Sequence, residues 1–254
     1  MFSRFRIKRW VQFFLMGFVI FSAIGFVEKK HSGKICSRIQ VQIENNLGNY
    51  FINENDIIGL VTSNGNEPLI GRAFRKIDLK NLELRVKTNK FIRNCQVSRN
   101  LKGDLLVEVQ QNVPIARVVH ADAPDAYISH TGQVLPLSER YTARVLLIQG
   151  EYTRKLLSLD FSSSEEGKPF FELLQAIDQD PFWKAQIAEL YVDRSGEITI
   201  FPQVGRQVIE FGAPTDMKAK FQKLKMFYKQ ILPAKGWNRY AKVSVKYRNQ
   251  IICE

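Results

Sequence analysis

"DLKNLELRVKTNKFIRNCQVSRNLKGDLLVEVQQNVPIARV", residues 78–118, changes its hydrophobic period part-way along. Leu79, Leu82 and Val86 stand three and four apart, on one helical face, and Asp78 precedes them as an N-cap. From Cys95 to Arg99 the period becomes two, as in a strand. Asn100 to Asp104 turns the chain, and Leu105, Val107 and Val109 return it. Pro114 has no amide to donate, so it ends or edges that hairpin. Upstream, "SNGNEP" reads as a loop, and Asn53 or Asn55 caps a short helix carrying Ile57, Ile58 and Val61. Arg38-Ile39-Gln40-Val41-Gln42-Ile43 alternates like a half-buried strand. The order is strand, helix, helix, strand, strand. It predicts an α+β unit with a three-stranded sheet, two helices on one face, and Leu79, Leu82, Phe91, Val97 and Val107 in its core.

Downstream, a "HTG" turn separates Tyr127-Ile128 from Val134-Leu135, and Val145–Ile148 reads as a buried strand ending at Gly150. Pro169 in a first turn opens the helix "PFFELLQAIDQD", and Asp180-Pro181 stops it. "IAELYVDRSGEITIFP" is a hairpin about Ser195-Gly196, and Val208–Phe211 is a further strand. Thr215 or Asp216 then caps a long helix whose Met217, Phe221, Leu224, Tyr228 and Ile231 share a face, with Gly236 as its stop. The tail "VSVKYRNQIICE", residues 243–254, alternates once more and predicts one last strand with an uncovered edge.

The N-terminus carries a different signal. From Trp10 to Val27 no residue is charged, and Trp10, Phe13, Phe14, Leu15, Phe18, Ile20 and Phe21 make the run strongly apolar. As a helix it measures about 27 Å, near the roughly 30 Å of a bilayer core. Arg4, Arg6, Lys8 and Arg9 precede it, which predicts a cytoplasmic N-terminus and an exported remainder. The competing reading is a signal peptide cleaved near Ala23-Ile24-Gly25, but the apolar run continues past that site as Phe26-Val27.

Composition suits a folded chain of 254 residues, with 45% apolar and 24% charged side chains. The net charge of +12 is local. Ten Lys and Arg between Arg72 and Lys102 face only Asp78 and Glu83, and Lys218 to Arg248 contains no acid. Such runs are either solvated faces or surfaces for an anionic partner. No GxSxG, HExxH, GxxxxGK[ST] or GxGxxG occurs. Ser129-His130 is an adjacent pair of reactive types, but "SHTG" reads first as a turn. Cys36, Cys95 and Cys253 form no CxxC or metal-ligand spacing and read as buried or free thiols, with one disulfide left open. No cofactor, metal or catalytic residue is predicted, and no nucleic-acid reader module is present.

The segment 78–118, together with "YISHTGQVLPLSERYTARV" (127–145) and "GWNRYAKVSVKYRNQIICE" (236–254), resembles the FtsQ/DivIB family of bacterial division proteins. The first matches that family's POTRA module, and the other two its β domain. The resemblance implies residues 1–9 as a cytoplasmic tail, 10–27 as a single transmembrane anchor and 28–37 as a linker. It implies 38–116 as a β-α-α-β-β POTRA domain and 117–254 as a mixed β domain with two longer helices. It further implies an inner-membrane, septal, largely periplasmic protein that assembles others rather than catalysing. Such a protein holds an FtsB/FtsL-like pair and helps to recruit septal wall-synthesis enzymes. In the family a partner strand adds to the C-terminal strands, whose closing pattern is matched by Val243, Val245, Lys246 and Tyr247. The expected partner contacts are Val245, Lys246, Tyr247, Arg248, Gln250 and Ile252, with Lys246 and Arg248 suited to an acidic segment and Tyr247 to an anchor. Relatives with longer tails depart from this chain between Arg248 and Cys253. Two other readings compete: a POTRA adaptor of a secretion complex, which would lack the second domain, and a tethered envelope hydrolase, which would need a pocket of convergent titratable groups.

Overall fold

Asn53 and Asp56 exchange hydrogen bonds at the head of the first well-described helix: Asn53 Oδ1 accepts the Asp56 amide at 2.9 Å, and Asp56 Oδ2 accepts the Asn53 amide at 2.8 Å. This capping box chooses Asn53 over Asn55 and starts α1 (Glu54–Val61). The computed structural model of the protein describes residues 16–19, 21–22, 34–44, 48, 50–161 and 163–254. Twelve of the eighteen residues of the expected anchor, 10–27, therefore lie outside the described residues. Phe18 and Phe21 are described, both helical and exposed. Among the described residues no helix is long and apolar enough to cross a membrane.

The described chain divides into two units, one holding β1 (Arg38–Glu44) and Ile52–Gln111, the other Leu47–Phe51 and Asn112–Glu254. In the first, α1 is followed by a 3₁₀ turn at Phe74–Lys76 and by α2 (Leu79–Val86), which Asp78 caps by accepting the Asn81 amide at 3.0 Å. β2 (Ile92–Arg99) and β3 (Asp104–Gln111) form the expected hairpin. The sheet order is β1-β3-β2, with β1 parallel to β3. Leu82, Val97 and Val107 are buried together with Ile57, Val61 and Val86, while Leu79 and Phe91 are half-buried against them. Each fully buried side chain of this kind contributes about 1.5–3 kcal/mol.

The second unit carries one nine-stranded mixed sheet that ends in β11 (Lys242–Ser244) and β12 (Ile252–Cys253) and is ordered β12-β11-β10-β9-β8-β7-β4-β5-β6. β4 is Pro114–Val118, β5 Ala126–Ser129, β6 Val134–Pro136 and β7 Leu146–Gln149. β8 is Ile187–Val192, β9 Ile198–Pro202 and β10 Val208–Gly212. Between β7 and β8 run α3 (Thr153–Ser158), α4 (Gly167–Gln179) and α5 (Pro181–Gln186). Parallel pairing of β7 with β8 requires such a crossover. Only α4 was legible beforehand, because α3 and α5 are too short to show a helical period. Gly150 (φ +113°) admits no side chain: a Cβ there would lie 2.1 Å from the Val192 carbonyl oxygen. The boundary expected at residues 116 and 117 falls inside β4, which pairs with β5 and β7; the division lies at Gln111 and Asn112. Pro114 opens that strand rather than closing the earlier hairpin.

Candidate functional site

The C-terminal corner is built by a second parallel crossover. From β10 the chain enters α6 (Met217–Met226), widens into a π-helical turn at Phe227–Ile231, and ends in α7 (Leu232–Lys235). Pro233 has no amide for the regular ladder, and the wider turn comes immediately before it. Phe221, Leu224, Phe227, Tyr228 and Leu232 are buried against the sheet. Asp216 occupies the N-cap position of α6 in the left-handed region (φ 51°), and its side chain makes no cap bond, contrary to expectation. β11 (Lys242–Ser244) then lies parallel to β10.

The tail is not one strand. After β11 the chain turns through Lys246–Gln250, where Asn249 takes φ 99°, and β12 (Ile252–Cys253) returns antiparallel on β11. The expected bare edge of β11 is therefore covered by the protein's own last residues. Lys242 and Glu254 form a hydrogen-bonded pair, each amide donating to the other's carbonyl at 3.1 and 2.9 Å. In an antiparallel ladder the next pair, Val243 with Cys253, turns its main-chain groups away from each other. Those of Cys253 thus face outward, beyond the sheet, and the open edge is β12.

This places the six expected contacts. Val245 is buried in the core and donates its amide to the Glu210 carbonyl. Lys246, Tyr247, Arg248 and Gln250 lie in the turn rather than a strand, and Ile252 sits in β12 opposite Ser244. Tyr247 is 46% exposed. Lys246 pairs with Glu197 at 3.0 Å and holds its Nζ 5.8 Å from the Tyr247 ring. Gly212 (φ +76°) faces Lys246, whose Cβ would stand 2.9 Å from any Cβ at that position.

Much of the basic run is structural. Lys220 is buried, donates to the Ala213 carbonyl at 2.7 Å and lies 4.9 Å from the Phe211 ring centre; desolvation pushes its pKa down. Lys223 donates to the carbonyls of Val245 and Tyr247, each at 2.6 Å, tying the turn to α6. Lys242 bridges Glu210 at 2.7 Å, which holds that carboxyl below its ordinary range. Sequence could not show these partners, since the acids are distant along the chain: Glu197 just before β9 and Glu210 in β10. In the first unit Arg85 likewise donates to Val61, Ser63 and Glu67.

Ser129 Oγ accepts the Thr131 and Gln133 amides, which is turn chemistry. The three cysteines are free, and burial pushes the Cys95 thiol up to about 11. Among the described residues no cluster of His, Cys, Asp or Glu could hold a metal ion. A groove of about 800 Å³ opens beside the starts of β4, β7 and β8, but its Arg117 and Lys184 are paired with Asp125 and Asp178.

A family model for the FtsQ/DivIB C-terminal related domain matches residues 113–254, more than half of the chain. The chain belongs to the FtsQ/DivIB family. A POTRA-like domain model matches residues 34–110, the unit with the β1-β3-β2 sheet. The two matches meet where the units divide. Comparison with curated proteins returns no match. FtsQ/DivIB membership indicates a cell-division protein.

Proposed function

We propose that this chain is a non-catalytic assembly protein of the division machinery that holds an FtsB/FtsL-like partner by strand addition at the outer edge of β12. In this reading residues 10–27 anchor it in the inner membrane, the N-terminus is cytoplasmic, and both units work in the periplasm at the septum, helping to recruit wall-synthesis enzymes. The observation that carries the proposal is the outward-facing main chain of Cys253 at the end of a nine-stranded sheet. An edge with unpaired amides and carbonyls is a template for an incoming strand. Two residues supply few main-chain bonds, so exposed Tyr247 and the basic turn supply the rest of the contact, which favours an acidic partner segment.

Cys253→Pro tests the edge directly. The missing amide is the outward one, so pairing with β11 is kept while the incoming ladder is blocked. In a pull-down of the FtsB-like protein from native membranes, this variant and Tyr247→Ala are expected to lose the partner with unchanged circular dichroism. Full retention by folded Cys253→Pro would overturn strand addition at β12.

A further inference from the structure

Of the four edges of the two described sheets, β6 and β2 are blunted, and β12 is short and assigned above to the partner. β12 has two residues, and β6 has three and ends in Pro136. β2 carries a register shift between Ile92 and Asn94, and its Val97 amide is taken by Glu83 Oε1 at 2.8 Å. β1 has none of these devices. It runs seven residues in unbroken register, from Arg38 opposite Asp104 to Glu44 opposite Gln110. Natural sheets seldom leave so long an edge undefended.

The direction of its free groups follows from the hairpin beside it. Val97 turns its amide away from β3, to Glu83, and Asn100 donates to the Asp104 carbonyl. Val97 and Val107 are therefore a non-hydrogen-bonded pair, and the main chains of Leu105, Val107 and Val109 face β1. In a parallel ladder these bond to the residues on either side of their opposites, which are Arg38, Gln40, Gln42 and Glu44. The main chains of Ile39, Val41 and Ile43 thus face outward, where no described strand pairs with them.

The residues on this edge form a palindrome about Val41: Arg-Ile-Gln-Val-Gln-Ile-Glu. Two copies laid antiparallel about a two-fold axis through Val41 set Gln40 opposite Gln42, Ile39 opposite Ile43, and Arg38 opposite Glu44. Ile39, Val41 and Ile43, whose groups face outward, become the hydrogen-bonded positions, so Val41 exchanges both bonds with its own copy, and Gln40 meets Gln42 as the closer, non-hydrogen-bonded pair. Ile39, Val41 and Ile43 are half-buried on their own core, so pairing extends one apolar face across the junction. The ends meet with opposite charge, and the Arg38 side chain is 59% exposed although it bridges Asp104. A slip of two residues sets Arg38 against Gln42 and loses that match.

We propose that the β1 edge receives a second copy of this chain, joined antiparallel in the register centred on Val41, to make a continuous six-stranded sheet. The interface is isologous, as a two-fold dimer requires.

The test uses the full-length chain in mild detergent. Sedimentation is expected to give twice the chain mass. Oxidation of Val41→Cys is expected to give a covalent dimer above the wild-type background, because opposed Cβ atoms in such a pair lie about 4.5–5.5 Å apart. Ile39→Cys is expected to give none above that background, since its copies sit about 13 Å apart along the strand direction. Val41→Pro removes an outward amide, so the dimer is lost while the β1–β3 ladder stays intact. Should that variant fail to fold, the two cysteine variants decide. A wild-type chain that stays monomeric, equal cross-linking at both positions, or a dimer surviving in folded Val41→Pro would each overturn the proposal.

Discussion

β1 on β3 and β11 on β10 are built alike. Each is a strand laid parallel at one end of a sheet, and each begins with a cation bonded to an acid on its inner neighbour: Arg38 to Asp104 at 2.9 Å, and Lys242 to Glu210 at 2.7 Å. They differ in what lies outside. β12 covers β11, whereas among the described residues no strand covers β1. A parallel addition can thus be finished within the chain by a short return or left for another chain to finish, and length separates the cases. A three-residue strand is closed by two residues, while seven residues would need a longer return segment.

The comparison can be broken hardest at the cores beneath these strands. Leu82, 3% exposed, lies in the core under the three-stranded sheet. Leu82→Asp buries a charge without a partner and is expected to cost several kcal/mol, unfolding the POTRA-like unit. A wild-type melting temperature for this variant would mean that α2 does not support β1 as described. A middle-sized effect is expected at Lys223, whose two bonds hold the turn between β11 and β12. Lys223→Met leaves two carbonyls without that donor, at about 1 kcal/mol. Hydrogen exchange at Ile252 should quicken while Val41 is unchanged; equal exchange in variant and wild type would show that β12 needs no such tie.

The smallest effect concerns the two ion-pair pins. Asp104 and Glu210 both sit below their ordinary values of 3.8 and 4.5, chiefly through hydrogen bonds from Arg38 and Lys242. Around those ordinary values the unfolded chain therefore binds more protons than the folded one. The stabilisation is complete above them and lost as pH falls through the depressed values. Glu210→Gln should lessen the acid-induced fall of the urea midpoint for the nine-stranded sheet, and Asp104→Asn should do the same for the smaller one. If only one responds, the likeness between the pins fails.

The β1 strand and the tail also show how far residues reveal structure. "RIQVQIE" and "VSVKYRNQIICE" share the period of two, yet the first is one strand and the second a hairpin. What separates them is Asn249, whose left-handed φ an Asn side chain tolerates and which reverses the chain. Alternation survives across that turn, because both arms of a hairpin show it. The POTRA-like order was legible since its caps and periods act locally, as at Asp78 and Asn53. The candidate edge was legible only to within a few residues. Ile252 stood among the expected contacts, but Cys253, whose main chain is the one left open, did not. The acids opposing the basic run were hidden for the same reason: Glu197 and Glu210 reach Lys246 and Lys242 through the sheet, not along the chain.

The pairing of Arg38 with Asp104 spans 66 positions. During synthesis at about 5–20 residues per second, β1 emerges roughly 3–13 s before its inner partner exists. The β2–β3 hairpin, by contrast, closes within about 1–10 μs of completion. β1 is therefore made before the strand that holds it, and for those seconds both of its edges, not one, are open to whatever strand is nearby.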